Sequence, residues 1–396
     1  MKTISKPKSY QNMLPFLSLT LFMIGATIEN SWLSSFLLSE GYSDLFIRQM
    51  MLMNGLIVAI CSWLCSFLTI RFGSKKMFGV ASLALIVTTL GILYSLQQHI
   101  AILLLIVYTL KGMVYPLFAY ATLTLVIVTT APYQLGKVTA YFWLAFNLGM
   151  TIIGPVLSSM LLKMMGISQL FYVATAIGVL GALLMLRVGK TSFQIKGKKN
   201  PKLLSELWAG LVIYQKQPKL CLALGAKIIN TIGQFGFVIM MPIIFQAQGR
   251  SIVTWGAVWS VTFIANTLAG VLFGYLSDQL GWKRTVMYVG GPLTGMACLL
   301  ILWSLYLTQS LPVVFAAFIL FGIGLAGYGP LSALIPHMIS GDKAIGVSVL
   351  NMGTGLSSVL GPGLVSILFF ALGGIKTLLI FAILYFLSSF LLMPID

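Results

Sequence analysis

Residues 274–284 read Gly274-Tyr-Leu-Ser-Asp278-Gln-Leu-Gly281-Trp-Lys283-Arg284 and lie between two long apolar runs. A degenerate copy, Arg71-Phe-Gly73-Ser-Lys75-Lys76, lies between two others, with Gly73 and Gly281 separated by 208 residues. Gly154-Pro155 and Gly361-Pro362 repeat at a spacing of 207. Two independent landmarks at nearly one offset argue for a duplicated chain. In membrane proteins, duplicated halves commonly hold a binding site between them.

Composition puts the chain in lipid. Mean hydropathy is +1.01, and only 8% of the 396 residues are charged. Soluble domains carry about 25% charged residues, so 8% cannot clothe a water-facing surface of ordinary size. Apolar runs bounded by charge or turn residues predict twelve spans, at about 14–38, 49–70, 77–95, 101–129, 138–162, 169–187, 218–247, 254–277, 286–307, 311–337, 344–371 and 374–393. Each is long enough to cross about 30 Å of hydrocarbon, and all must be helical because lipid satisfies no open backbone group. The expected architecture is all-α, two six-helix bundles at 1–187 and 218–396. A polar cytoplasmic linker at 188–217 joins them and contains Lys196-Gly-Lys-Lys-Asn-Pro201, with a surface helix near 203–214. The run from Leu14 is too long for a signal-peptide core and reads as an uncleaved first span.

The net charge of +17 invites a nucleic-acid reading, but its placement speaks against one. Of 24 Lys and Arg, 18 fall at ends and loops of one side, and Arg48, Lys163, Arg250 and Lys376 on the other. This is the positive-inside pattern, so both termini are expected in the cytoplasm. The four cysteines lie in apolar runs without metal or redox spacing, and no metal or cofactor is expected. No Ser/His/Asp set or phosphate-cradling loop points to an enzyme, and a duplicated twelve-span chain disfavours a simple pore.

The remaining two lysines, Lys111 and Lys227, sit inside apolar runs, as does one acid, Glu29. Charge within hydrocarbon faces a watery path or a partner. In a two-bundle carrier, spans 1, 4, 7 and 10 line the path, and these three residues lie near the middles of spans 1, 4 and 7. Span 7 places Lys227, Asn230, Thr231 and Gln234 on one face at i, i+3, i+4 and i+7. Span 4 sets Lys111 beside Tyr115, with a kink expected at Pro116. Span 1 sets Glu29 beside Trp32. Span 8 aligns Trp255, Trp259, Thr262 and Asn266, and span 11 offers Ser348 and Asn351. The candidate substrate contacts are Lys111, Tyr115, Lys227, Asn230, Gln234, Trp259 and Asn351, with Glu29 as the protonation site. The bland alternatives are a Glu29–lysine pair that merely holds helices together, and aromatic or amide stripes used for packing. The glycines at 322, 324, 327 and 329 of span 10 read as a hinge or as close packing, and Gly270-x-x-x-Gly274 as packing.

The stretch from Gly274 to Arg284 resembles the signature between spans 8 and 9 of the major facilitator superfamily. That resemblance gives Asp278, Lys283 and Arg284 the part of a cytoplasmic gate. Ile70 stands where the first-half acid would be, so the first-half latch is expected to be weaker. Lys111 to Phe118, Lys227 to Thr231 with Phe235-Gly-Phe237, and Ser348 to Asn351 with Gly355-Leu-Ser357 are similar to bacterial polyol permeases, which import ribitol and arabinitol with protons. Two departures stand out: lysine replaces arginine at 111 and 227, and no acid stands near Ala26. The resemblance implies a monomeric, proton-coupled importer of a small polyhydroxylated solute in a bacterial inner membrane. Two lysines against one glutamate within the apolar runs motivate an alternative on the same scaffold, a carrier of an organic anion: a hydroxycarboxylate, a sugar acid or a carboxylate siderophore. Span 5 lacks the fuller glycine pattern of drug exporters, which counts against efflux.

Overall fold

The computed structural model describes residues 13–162, 164–188, 217–339 and 343–395. The linker expected at 188–217 and its surface helix therefore fall almost wholly outside the described residues, as does Lys163. Eleven helices among them are long and apolar enough to cross a membrane. They are Leu45–Phe72 (span 2), Ser74–Gln97 (3), Ala101–Thr129 (4), Pro132–Leu161 (5), Ile167–Arg187 (6), Pro218–Ala247 (7), Thr254–Leu280 (8), Trp282–Thr308 (9), Leu311–His337 (10), Ile345–Phe369 (11) and Ala371–Leu391 (12).

The first run differs from the single long span expected of it. It is an α-helix at Leu14–Thr27, one 3₁₀ turn at Ile28–Ser31 and a short helix at Leu33–Ser39. The regular ladder stops where the chain brings Glu29 into the apolar run. Span 4 is also broken, into Ala101–Lys111 and Val114–Thr129. The break falls at Gly112, not at Pro116. Pro116 stands in the first turn of the second helix, where no intrahelical N–H is required of it. A Cβ on Gly112 would lie 2.5 Å from the carbonyl oxygen of Asn54 in span 2, so only glycine admits this approach.

The chain divides into two compact units, 1–132 with 145–207 and 133–144 with 208–396. Span 5 is thus shared, its first third packing in the second unit. Within the first unit, span 1 packs on spans 5 and 6, and span 4 on spans 2 and 3. Gly25 meets Gly178 so closely that a Cβ on it would stand 2.5 Å from the Gly178 nitrogen. Within the second unit, span 7 packs on spans 11 and 12, span 10 on spans 8 and 9, and span 9 on span 12. The two units share one packing scheme. Spans 11 and 12 follow each other without a loop; Gly373, at φ 80°, is the one non-helical residue in Lys343–Leu391.

Duplication extends to single caps. Ser43 accepts from the Phe46 amide at the start of span 2, and Ser251 from the Thr254 amide at the start of span 8. Each is preceded by a positive-φ glycine, Gly41 and Gly249, and these pairs too are 208 residues apart. Gly73 and Gly281, with φ of 88° and 97°, turn the chain between spans 2 and 3 and spans 8 and 9. A side chain at such φ/ψ costs about 1–3 kcal/mol. Gly281→Ala would meet no atom closer than Arg284 Cδ at 4.0 Å, so strain alone acts there. The variant is expected to lower the detergent melting temperature through that strain, and a serine at the same position should do the same.

Candidate functional site

Glu29 and Lys111 meet. Lys111 Nζ stands 2.7 Å from Glu29 Oε1, with the two side chains 4% and 2% exposed. Both lie at helix breaks: Glu29 in the 3₁₀ turn, Lys111 as the last residue of Ala101–Lys111. An ammonium at a helix C-terminus is favoured by the exposed carbonyls there. Lys111 Nζ also lies 5.5 Å from the Phe171 ring centroid, and Trp32 packs edge-on against the same ring at 5.6 Å. The site is therefore a carboxylate and an ammonium beside the Phe171 ring, which Trp32 backs. Glu29 Oε2 and Trp32 Nε1 are buried without a hydrogen-bond partner among the described residues, and Lys111 Nζ has only its ion pair.

The break in span 4 is held open by a side chain that sequence reading passes over. Gly112 and Met113 bond back three residues, to Thr109 and Leu110, so the Tyr108 carbonyl loses its usual helical partner. Asn54 Nδ2 of span 2 donates to it at 2.8 Å. In the second unit, Asn266 Nδ2 of span 8 likewise donates to a backbone carbonyl of its neighbour, that of Gly322 in span 10, at 3.0 Å. Span 10 breaks at Gly327–Pro330, between Leu311–Ala326 and Leu331–His337. Gly327 there packs against Gly290 of span 9, so the glycine-rich stretch serves both as a break and as close packing.

Lys227 belongs to the second unit. It is 8% exposed, and its Nζ lies 5.2 Å from the ring centroid of Trp143 in span 5. It makes no ion pair with any of the described residues, whereas Glu29 is paired to Lys111. Glu29 is also the one buried acid among them. Asn230, one turn along, is 4% exposed, and its Oδ1 has no partner among the described residues. Gln234 is half-buried, and Asn351 and Ser348 are buried in span 11. Tyr115 is half-buried and packs on Phe146 at 6.1 Å; the break separates it from the face of Lys111. Trp259 stands between Trp255 and Phe263, at 5.0 Å from each, and Trp255 packs on Phe245 and Phe318. The aromatic row of span 8 is thus engaged in packing.

Asp278 is occupied by backbone. Its Oδ1 accepts from the Gly136 amide at 2.8 Å and from Trp282 Nε1 at 2.9 Å, and its Oδ2 accepts from the Lys137 amide at 2.9 Å. Gly136 and Lys137 open the helix Leu135–Asn147, whose first amides lack intrahelical acceptors. A Cβ on Gly136 would lie 2.5 Å from Asp278 Oδ1, and Gly274 approaches Ala140 as closely, while Gly270 faces open space. Lys283 Nζ donates to the carbonyls of Met393 and Ile395. Arg284 is exposed and pairs with no acid among the described residues.

Residues 15–249 and 223–396 each match the Major Facilitator Superfamily. The chain belongs to that family. It is a multi-pass membrane transporter, not an enzyme. It is 34% identical over 382 residues to the alpha-ketoglutarate permease of Bacillus subtilis (strain 168), covering 95% of this chain and 87% of that one. It is 26% identical over 385 residues to the D-arabinitol transporter of Klebsiella pneumoniae, with 95% and 90% covered. The human organic anion transporter MFSD10 shares the fold at a TM-score of 0.69 and 16% identity, over 96% of this chain and 98% of that one. In this major facilitator chain, the acid of the 274–284 signature, Asp278, accepts from the backbone amides of Gly136 and Lys137.

Removing one member of a buried ion pair leaves an uncompensated charge and costs about 3–5 kcal/mol. Lys111→Met is expected to lower the melting temperature sharply, and the double variant Glu29→Gln with Lys111→Met to recover most of the loss. Thermal melting in one detergent checks both; equal losses in single and double variants would mean the pair is not coupled.

Proposed function

We propose that this major facilitator moves a small carboxylate-bearing solute by alternating access, coupled to a proton carried at Glu29. One observation carries the reading: among the described residues, the Lys227 ammonium is buried without an acid, while the one buried acid is already paired to Lys111. Desolvating an ammonium costs several kcal/mol, and an aromatic face returns about 2. The difference favours a ligand that brings negative charge. Asn230 supplies an amide beside it, and Gln234 and Asn351 are proposed as further polar contacts on spans 7 and 11. Protonation of Glu29 would neutralise it and release the Lys111 ammonium within the first unit. The match to an alpha-ketoglutarate permease over nearly the whole chain supports the carboxylate class.

Asp278, with Lys283 and Arg284 nearby, is proposed as the gate. Its bonds to Gly136 and Lys137 must break if the start of span 5 is to move away from span 8. We place both termini in the cytoplasm of a bacterial inner membrane, from the distribution of Lys and Arg. A second reading, import of a polyol, is favoured by the amide-rich face of span 7 and by the D-arabinitol relative.

Three measurements test the proposal on the purified full chain. Thermal shift against 2-oxoglutarate, malate, gluconate and arabinitol should show stabilisation by carboxylates, since a ligand bound only to the folded state raises its stability; stabilisation by arabinitol alone would reverse the assignment. Lys227→Met should weaken carboxylate binding by about tenfold or more, some 1.4 kcal/mol. In proteoliposomes, Glu29→Gln should abolish uphill accumulation and spare exchange of substrate for substrate. Concentrative uptake by that variant would remove Glu29 from the coupling.

A further inference from the structure

We infer that Trp143, oriented by Ser332, is a positioning residue that holds the Lys227 ammonium ready for an anionic ligand. This rests on the carboxylate reading above and adds two residues to it. Lys227 Nζ lies over the Trp143 ring, 5.2 Å from its centroid. Indole is the aromatic face that attracts a cation most strongly. The ring is tethered in turn, because Trp143 Nε1 donates to Ser332 Oγ at 2.9 Å. Ser332 is 2% exposed, near the start of the helix Leu331–His337, directly after the break in span 10.

Two further observations bear on the same place. Gly353 of span 11 passes beneath the lysine stem: a Cβ there would lie 3.2 Å from Lys227 Cγ. The flexible side chain is therefore guided at its stem by Gly353 and at its head by Trp143. Asn230 Oδ1, on the same face of span 7, is buried and has no partner among the described residues. One face of span 7 thus carries the ammonium and, one turn along, a hydrogen-bond acceptor without a partner among the described residues.

The chemistry explains why a ring suits this place better than an acid. A carboxylate beside Lys227 would neutralise it, and an incoming anion would have to displace that carboxylate. An indole face attracts the cation through its quadrupole and leaves the full positive charge in place. A carboxylate ligand then takes charge-assisted hydrogen bonds from an ammonium whose location is already fixed. The tether to Ser332 couples that arrangement to the second helix of span 10, next to its break.

The test is a double-mutant cycle on the full purified chain, read as the Kd of whichever of 2-oxoglutarate, malate and gluconate binds tightest. Trp143→Leu removes the face and is expected to raise Kd about tenfold. Trp143→Phe keeps a weaker face without the N–H, and Ser332→Ala keeps the ring without its tether; each should raise Kd by about threefold. In a Lys227→Met background, none of these changes should have a further effect, because the ring has no cation left to position. If Trp143→Leu fails to fold, the Trp143→Phe and Ser332→Ala arms of the cycle decide the matter. Equal losses with and without Lys227 would assign Trp143 to packing alone and overturn this inference while leaving the proposed function intact. Binding of none of the three acids, or an unchanged Kd in Lys227→Met, would overturn both.

Discussion

Hydrocarbon offers no water to a carboxylate, and in this carrier the Lys111 ammonium takes water's place at Glu29. Each of these residues needs a local interruption of its helix, and each interruption exposes backbone groups that lipid cannot satisfy. Much of the first unit answers that demand. Gly112 allows span 4 to approach span 2, Asn54 fills the carbonyl that the break sets free, and the Phe171 ring, backed by Trp32, covers the Lys111 ammonium. The charge is tolerated because the backbone defect and the ion pair are solved together.

The second unit applies the same scheme with a different occupant. Span 10 is broken as span 4 is, and Asn266 donates to its backbone as Asn54 does to that of span 4. Its buried ammonium, however, comes from span 7 and meets an indole in place of an acid. One unit thus holds a closed charge pair and the other an open charge. That asymmetry within a duplicated frame is what directs the functional proposal toward an anion.

Much of this was legible in the amino-acid sequence, for identifiable reasons. Run length in lipid dictates helices, so spans 2 to 12 lie close to where the apolar runs put them. The glycines at 73 and 281 announced their turns, because few other residues adopt those angles. Glu29, Lys111 and Lys227 stood out because charge in an apolar run is rare. Periodicity describes one helix face and says nothing of what lies opposite, so it could not tell which lysine Glu29 would meet. Nor could it find Asn54, Trp143 or Ser332, which matter only through partners far away along the chain. The proline at 116 drew the expected kink four residues too late, since a proline in a first turn disturbs nothing. The match of Gly41-x-Ser43 with Gly249-x-Ser251 was in plain view at the 208-residue offset, but it gains meaning only once both serines are seen to cap helices.

Gly373 carries a mechanical consequence. As spans 2 and 3 meet at Gly73 and spans 8 and 9 at Gly281, spans 11 and 12 meet at this one residue. A rocking motion of either is handed directly to the other through that single joint. The lysine stem of span 7 rests on span 11, and Tyr385 of span 12 reaches the backbone of Asn230. Both arms of this knuckle therefore touch the helix that bears Lys227, and whatever tilts one arm is felt there twice.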